Sequence, residues 1–339
     1  MLQKVDINET FVLENGQEIS HFSLGYEVFG NLANAKSVVW VCHALTANTN
    51  PLDWWEGLVG EEAYFSPKTQ AIICVNMLGS CYGSTNAFNV NPSTEAPYLK
   101  DFPLISIRDF ARLLEKVRLD LGVEKIDTLI GASMGGMHAM EWAIELGKKL
   151  SKLVLLATSA KHSAWGIAFN EAQRLAIEAD ASFGEHHARA GIKGMKAARA
   201  FALLSYRSAH AYNQLQQDDY ADLHQAHKVV NYQNYQGEKL AKRFDAYAYY
   251  HLSKSMDTHH VGRNRKSTED ALAQITAKTL VISITSDVLF PPEDQAFLAL
   301  HIPQAQLVKI DSLYGHDGFL IETKQIASAI EAFNRNTNE

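Results

Sequence analysis

The sequence predicts an α/β fold, a mostly parallel, doubly wound sheet with an inserted helical lid, and three observations carry that prediction. Short, continuous apolar runs (Val38 to Cys42, Ala71 to Val75, Leu153 to Ala157, Thr279 to Thr285) alternate with helix-prone segments. That is the pattern of strands buried on both faces and linked by crossover helices. One further run, through Ile130, breaks abruptly into Gly131-Ala132-Ser133-Met134-Gly135, and a helix-prone stretch from Met137 to Leu146 follows. Between about Ser159 and Asp270 strand-like runs give way to long, helical, aromatic-rich ones such as Ile192 to Tyr206 and Leu240 to Ser255, with no Pro/Ser/Gly linker on either side. The expected organisation is therefore a core of residues 1–158 and 271–339 with a helical lid at 159–270.

Taken in order, Phe11, Leu13, Asn15-Gly16, Ile19 and the run through Tyr26 and Val28 read as an opening β-hairpin with a tight type I′ turn at Asn-Gly. The strand Val38 to Cys42 ends in His43-Ala44-Leu45-Thr46, and Ala71 to Val75 leads into a long polar loop rich in Gly and Ser, the kind of loop that lines a site or an interface. Ser106 to Leu121 is a helix, with Ser106 and Asp109 forming a capping box, Ile107, Phe110, Leu113, Leu114, Val117 and Leu121 on one face, and Gly122 as terminator. After the lid come a strand from Gln306 to Ile310 and a last helix from about Thr323 to Asn334.

Composition narrows the function. Of 339 residues, 47% are apolar and 20% charged, and 31 Lys and Arg against 38 Asp and Glu give a net charge of −7. The acidic balance and the lack of a basic patch argue against a nucleic-acid partner. No apolar run reaches membrane-spanning length and no signal peptide is visible, so a soluble, cytoplasmic protein without a membrane partner is expected. Three cysteines make no disulfide framework, and Cys81, without a visible base beside it, reads as structural. The 14 histidines include no metal-binding spacing, and the pairs His186-His187 and His259-His260 read as surface or lid residues, so no metal is expected.

The chemistry sits in the strand–Gly-x-Ser-x-Gly–helix passage, the nucleophile elbow of α/β-hydrolases. Ser133 must stand at the tip of a very tight turn, and Gly131 and Gly135 leave room where a Cβ would clash. Two more residues follow in the chain order of that fold, each just past the end of an expected strand: Asp287 after Thr285 and His316 after Ile310. Ser133 is the expected nucleophile, His316 the general base and Asp287 the residue that orients the imidazole. The backbone N–H groups of Met134 and Leu45 are the expected oxyanion donors. These residues specify acyl transfer through a serine ester and leave open whether water or another nucleophile accepts the acyl group.

Beyond the elbow, the chain resembles the homoserine O-acyltransferases, most often homoserine O-acetyltransferases. The resemblance rests on Cys42-His43-Ala44-Leu45-Thr46, Asp53-Trp54-Trp55, Gly79-Ser80-Cys81-Tyr82-Gly83-Ser84-Thr85, the elbow, Ser205-Tyr206-Arg207-Ser208, Tyr235-Gln236-Gly237-Glu238-Lys239, Arg243-Phe244-Asp245, Ser255-Met256-Asp257, Ser286-Asp287-Val288-Leu289-Phe290-Pro291-Pro292 and Gly315-His316-Asp317. It implies that Ser133 takes an acetyl group from acetyl-CoA, a co-substrate entering between core and lid with no tightly bound cofactor, and passes it to L-homoserine in methionine biosynthesis. It also implies that Arg207 binds the substrate carboxylate and Asp317 its ammonium, with Tyr206 or Tyr212 nearby, and that the protein is a homodimer through its lid helices. Three departures stand out: Ala47 where the family commonly has Gly, Tyr247-Ala248 in place of Asn-Ser, and Asn264 in a common Gly-Arg-Gly-Arg run. The alternatives are a homoserine or serine O-acyltransferase using succinyl-CoA or another acyl-CoA, and a serine esterase. No extra cation adjoins Leu45 or Ser133 in the chain, which favours acetyl over succinyl.

Overall fold

The computed structural model describes residues 1–218 and 227–336. Eight strands form one sheet: β1 (Gln3–Ile7), β2 (Phe22–Phe29), β3 (Val38–Cys42), β4 (Ala71–Val75), β5 (Ile126–Ala132), β6 (Leu150–Leu156), β7 (Lys278–Ile284) and β8 (Gln306–Ile310). Their order across the sheet is β1-β2-β4-β3-β5-β6-β7-β8. The pairs β1–β2 and β2–β4 are antiparallel and the others parallel. The chain reverses direction across the sheet at β3, and β5 lies in the middle, where both neighbours can shape the turn that follows it.

Period-two alternation sends the strand side chains to two separate cores. Val39 and Val41 of β3 join Trp55, Phe65, Ile330 and Phe333 on one face. Trp40 points to the other, where it meets Trp142 edge-on with ring centroids 4.9 Å apart. Helices α1 (Ile107–Asp120) and α2 (Met134–Leu146) cover that second face. The capping box at Ser106 and Asp109 is formed with both bonds at 3.0 Å.

Between β6 and β7 come α3 (Ala164–Glu178), α4 (Ile192–Tyr206), α5 (Ala209–Leu215), α6 (Lys228–Ala241) and α7 (Ala246–Asp257). An isolated bridge between Lys161 and His260 brings the two ends of this insertion together. The core then resumes with α8 (Pro292–His301) and α9 (Thr323–Asn336).

Local structure departs from the sequence reading in three places. The opening hairpin is a separate two-stranded ribbon, Phe11–Val12 against Glu18–Ile19. Its bond from Leu13 N–H to the Gln17 carbonyl encloses three loop residues, and of these Gly16 takes positive φ (+83°) while Asn15 does not. A type I′ turn needs both central residues at positive φ, so a three-residue loop forms instead. The polar N-terminus hides edge strand β1, whose Val5 and Ile7 alternate inward. The segment from Leu240 to Ser255 is two helices, because the Asp245 side chain accepts from Ala248 N–H at 2.7 Å and starts a new helix there.

A buried charge network fastens the insertion to the core. Glu141 of α2, 1% exposed, pairs with Arg108 of α1 at 3.1 Å and with Arg265 at 2.8 Å. Glu14 pairs with Arg108 at 2.8 Å and Arg263 at 3.0 Å. Asn264 lies between Arg263 and Arg265 at φ +56°, a left-handed position that glycine favours and asparagine tolerates. That explains how Asn replaces Gly in the run. Replacing Glu141 by Ala leaves Arg265 without its carboxylate and Arg108 with Glu14 alone, and the expected loss is about 3 kcal/mol of unfolding free energy, measured by urea titration; a change within error would refute the network's role.

Candidate active site

The site starts with backbone geometry. Ser133 sits at φ 55°, ψ −128° between the end of β5 and the start of α2. Its N–H donates to the Leu156 carbonyl at 3.0 Å, and its own carbonyl accepts from the Thr158 hydroxyl at 2.9 Å. The end of strand β6 and the residues just after it thus hold both sides of the strained residue. A Cβ on Gly131 would lie 2.2 Å from the Gly135 carbonyl oxygen, and one on Gly135 would lie 2.1 Å from the Cys42 carbonyl oxygen. Both contacts are with backbone that cannot move aside, so only glycine fits and the helix start stays pressed against the end of β3.

Ser133, His316 and Asp287 converge from three strand ends. Ser133 Oγ lies 2.9 Å from His316 Nε2, and His316 Nδ1 lies 2.7 Å from Asp287 Oδ2. Asp287 Oδ1 accepts from the N–H groups of Leu289 and Phe290, each at 2.9 Å. The carboxylate has backbone donors on one oxygen and the imidazole on the other, which fixes the ring. Tyr206, Phe290 and Phe319 wall the imidazole at centroid distances of 5.8, 5.1 and 5.3 Å. All three residues of the relay are buried. This arrangement can deprotonate a serine hydroxyl and hold the resulting imidazolium.

Ser133 and His316 open into a cavity of about 370 Å³ shared with Leu45, Tyr206 and Asp317. Among the described residues, neither Leu45 N–H nor Met134 N–H has a protein acceptor. Met134 is the first residue of α2, so its amide is one of the unpaired donors of a helix start.

Arg207 and Asp317 meet beside His316. Arg207 Nε lies 3.0 Å from Asp317 Oδ2 as an ion pair outside hydrogen-bond alignment, and the guanidinium also lies over the Tyr314 ring at 5.3 Å. Gly315 makes the meeting possible. It has φ +63°, and a Cβ there would lie 2.8 Å from Ser208 N. The Ser208 hydroxyl donates to the Leu313 carbonyl at 2.6 Å, locking the α4–α5 turn to the histidine loop.

Tyr206 is in the cavity, whereas Tyr212 lines an adjoining hollow with Arg207, Tyr232 and Tyr314. Cys81 lies away from the relay, with its thiol pushed up to about 12 by burial. His259 is fully enclosed and its Nε2 meets the Ser159 carbonyl at 2.8 Å, so it belongs to the interior rather than the surface. Among the described residues, no cluster of three His, Cys, Asp or Glu could hold a metal.

Arg199, which the sequence reading did not name, and Lys239, Arg243, Asp53 and Trp54, which it named only as family motifs without a role, line the same cavity. Arg243 donates to the Thr46 carbonyl, beside Leu45, and to the Tyr82 hydroxyl at 2.9 Å. The absence of a cation near Leu45 in the chain therefore does not hold in space. Arg199 had one signal: it precedes Tyr206 by seven residues on one helix, which puts both on the same face.

A family model described as the alpha/beta hydrolase fold matches residues 37–323. A homoserine O-acetyltransferase of Cyclobacterium marinum is 44% identical over 331 residues, covering 97% of this chain and 94% of the relative. That of Chlorobium chlorochromatii is 40% identical over 335 residues, covering 96% and 93%. The chain belongs to the homoserine O-acetyltransferase family of the α/β-hydrolase fold. The crystal structure of the homoserine O-acetyltransferase from Bacillus anthracis superposes with a TM-score of 0.88 at 21% identity, covering 98% of this chain and 97% of that one. Esterase E22 superposes with a TM-score of 0.86 at 23% identity, covering 98% and 100%. At those identities both likenesses speak for the fold alone.

Buried histidines around this family fold give a pH signature. Burial pushes His43 and His251 down to about 4, and His162 and His259 down to about 3. Folded, they stay neutral; unfolded, they take up protons below pH ~6.5. The unfolded state thus binds more protons, and stability is full above ~6.5 and falls as the pH drops towards about 4. The expected slope is on the order of 1.4 kcal/mol per pH unit for each histidine. Urea midpoints measured from pH 7.5 down to 4.5 check this, and a flat profile would contradict it.

Proposed function

We propose that the chain is a homoserine O-acetyltransferase of methionine biosynthesis, moving acetyl from acetyl-CoA to the hydroxyl of L-homoserine by a ping-pong serine acyl-enzyme mechanism. Near-full-length similarity to relatives named homoserine O-acetyltransferase supports the reading. The observation that carries it is the Arg207–Asp317 pair beside His316. An amino acid presents a carboxylate and an ammonium, and the pair offers the complement of both next to the base. A simple esterase has no use for that arrangement.

In the first half-reaction Ser133 Oγ attacks the thioester carbonyl while His316 Nε2 takes its proton. Leu45 and Met134 N–H groups receive the oxyanion. Asp287 holds the imidazolium until it protonates the departing CoA thiolate. In the second half-reaction His316 takes the proton of the homoserine hydroxyl as its oxygen attacks the acetyl-enzyme. Collapse returns that proton from His316 to Ser133 Oγ and releases O-acetylhomoserine. Arg207 forks onto the acceptor carboxylate and Asp317 pairs with its ammonium. Arg199, Lys239 and Arg243 suit the phosphates of CoA at the cavity mouth. A succinyl carboxylate would meet the same cations, and the names of the relatives favour acetyl.

The same reading places the protein in the cytoplasm as a homodimer through the insertion. No helix among the described residues is long and apolar enough to cross a membrane. Phe201 and Leu204 of α4 and Val230 and Tyr235 of α6 are 44%, 53%, 45% and 61% exposed, an apolar surface suited to a second copy.

The test is CoA release from acetyl-CoA or succinyl-CoA, with L-homoserine, L-serine or neither. Release that requires acetyl-CoA and homoserine together is expected. Succinyl-CoA or serine as the preferred partner moves the reaction to a sister acyltransferase, and equal release without an amino acid makes the protein an esterase. Ser133→Ala is expected to abolish the acetyl-enzyme mass shift in intact-protein mass spectrometry. Arg207→Ala is expected to raise KM for homoserine by about a hundredfold, the loss of a charge-assisted bidentate contact, while acetyl-enzyme still forms; an unchanged KM would remove Arg207 from the acceptor site.

A further inference from the structure

His43, which no step above uses, sits directly behind the oxyanion loop. It is 1% exposed, and both ring nitrogens are engaged. Nε2 lies 3.2 Å from the backbone nitrogen of Met77, and Nδ1 lies 2.9 Å from the carbonyl oxygen of Ala44. The partners settle the tautomer. The Met77 N–H can only donate, so Nε2 is the bare, accepting nitrogen. Nδ1 therefore carries the proton and donates to Ala44.

The Ala44 carbonyl belongs to the same planar peptide unit as Leu45 N–H, and in a trans peptide the two point in opposite directions. Fixing the carbonyl fixes the amide. The Ala44 oxygen also accepts from Ala47 N–H at 3.0 Å, so both of its lone pairs are occupied. Leu45 itself lines the cavity with Ser133. With the imidazole gone the carbonyl keeps a single donor, the Ala47 N–H from within the same loop, and this peptide can rotate and turn its N–H away from the serine. A loop peptide has that freedom unless something removes it, whereas Met134 N–H is held by the start of α2.

We propose that His43 is a positioning residue for the acylation of Ser133: its Nδ1–H holds the Ala44–Leu45 peptide so that Leu45 N–H faces the developing oxyanion. The inference rests on Ser133 being acylated with Leu45 as a donor. It does not depend on the acceptor.

Two amides separate this role from a structural one, because each replaces one half of the imidazole. In His43→Asn the amide nitrogen falls where Nδ1 was and still donates to Ala44, but nothing reaches Met77. In His43→Gln the amide oxygen falls near the Nε2 position and still accepts from Met77, but no side chain donates to Ala44 and its carbonyl keeps only the Ala47 N–H. The readout is the pre-steady-state release of nitrophenol from p-nitrophenyl acetate, which reports acylation of Ser133 before any acceptor acts. Losing an oxyanion donor outright slows such a step by about 10²–10³. His43→Ala and His43→Gln are therefore expected to acylate at least about tenfold more slowly with ester KM little changed. His43→Asn is expected to restore most of that rate although its melting temperature falls as well. A Gln variant as fast as wild type, or an Asn variant no faster than Gln, overturns the proposal. Histidine nitrogen NMR of the wild-type protein needs no variant to fold: the Nδ1–H tautomer at His43 is expected, and an Nε2–H tautomer overturns the proposal. Failure of homoserine as acceptor would remove the proposed function and leave these outcomes standing, while a wild-type protein that releases no nitrophenol removes both.

Discussion

The strained backbone of Ser133 is the constraint on which the rest of the molecule depends. A non-glycine residue at φ 55° stays there only when its surroundings leave no alternative. Here the surroundings are the middle of the sheet. The end of strand β6 and the loop after it hold the residue through the Leu156 carbonyl and the Thr158 hydroxyl, and the carbonyl of Cys42 at the end of β3 fills the space beside Gly135. The order of the strands is thus functional as well as architectural. Only a central strand has a neighbour on each side to confine the turn at its end, and β5 lies between β3 and β6.

Given a fixed Ser133, the remaining groups must be brought to it from distant parts of the chain. Two fastenings achieve this. One is the charge network around Glu141, which ties the end of the insertion to α1 and α2 behind the site. The other is the close approach of Gly315 to Ser208, which ties the insertion to the histidine loop at the site. Between these anchors α4 and the residue that ends it deliver Arg199, Tyr206 and Arg207 to the cavity region. The first anchor is electrostatic and the second steric, and together they hold the insertion at two points, so it cannot swing about a single hinge.

The parts of this arrangement that are local were legible in the sequence. The elbow was visible because its glycines are needed within two residues of Ser133. Most of the buried strands were visible because each is a continuous apolar run, Asp287 because it follows such a run, and His316 because it follows the short strand Gln306–Ile310. Edge strand β1 was not, since only Val5 and Ile7 of five residues face inward. The break at Asp245 was missed because a capping aspartate inside a helix-prone stretch looks like a surface residue until its bond to Ala248 is seen. The role of the cations at the cavity was missed for a different reason. Arg199, Lys239 and Arg243 lie on the insertion, far along the chain from Leu45, and only packing brings them together. Asn264, by contrast, looked like a departure from the family and is physically equivalent to the glycine it replaces, because both accept a left-handed backbone.

Under the proposed function, with Arg207 and Asp317 as the acceptor's binding groups, their ion pair has a consequence for discrimination. Each charge already has its counterpart when the acceptor site is empty, so an incoming molecule must offer better terms to both at once. A zwitterion exchanges one internal pair for two new ones. A plain alcohol leaves the pair closed, and an amine or a carboxylic acid that engages one member strands the other in a place with little water. The empty site is in effect bolted by its own two recognition groups, and the acceptor with both charges on one carbon draws the bolt from each end.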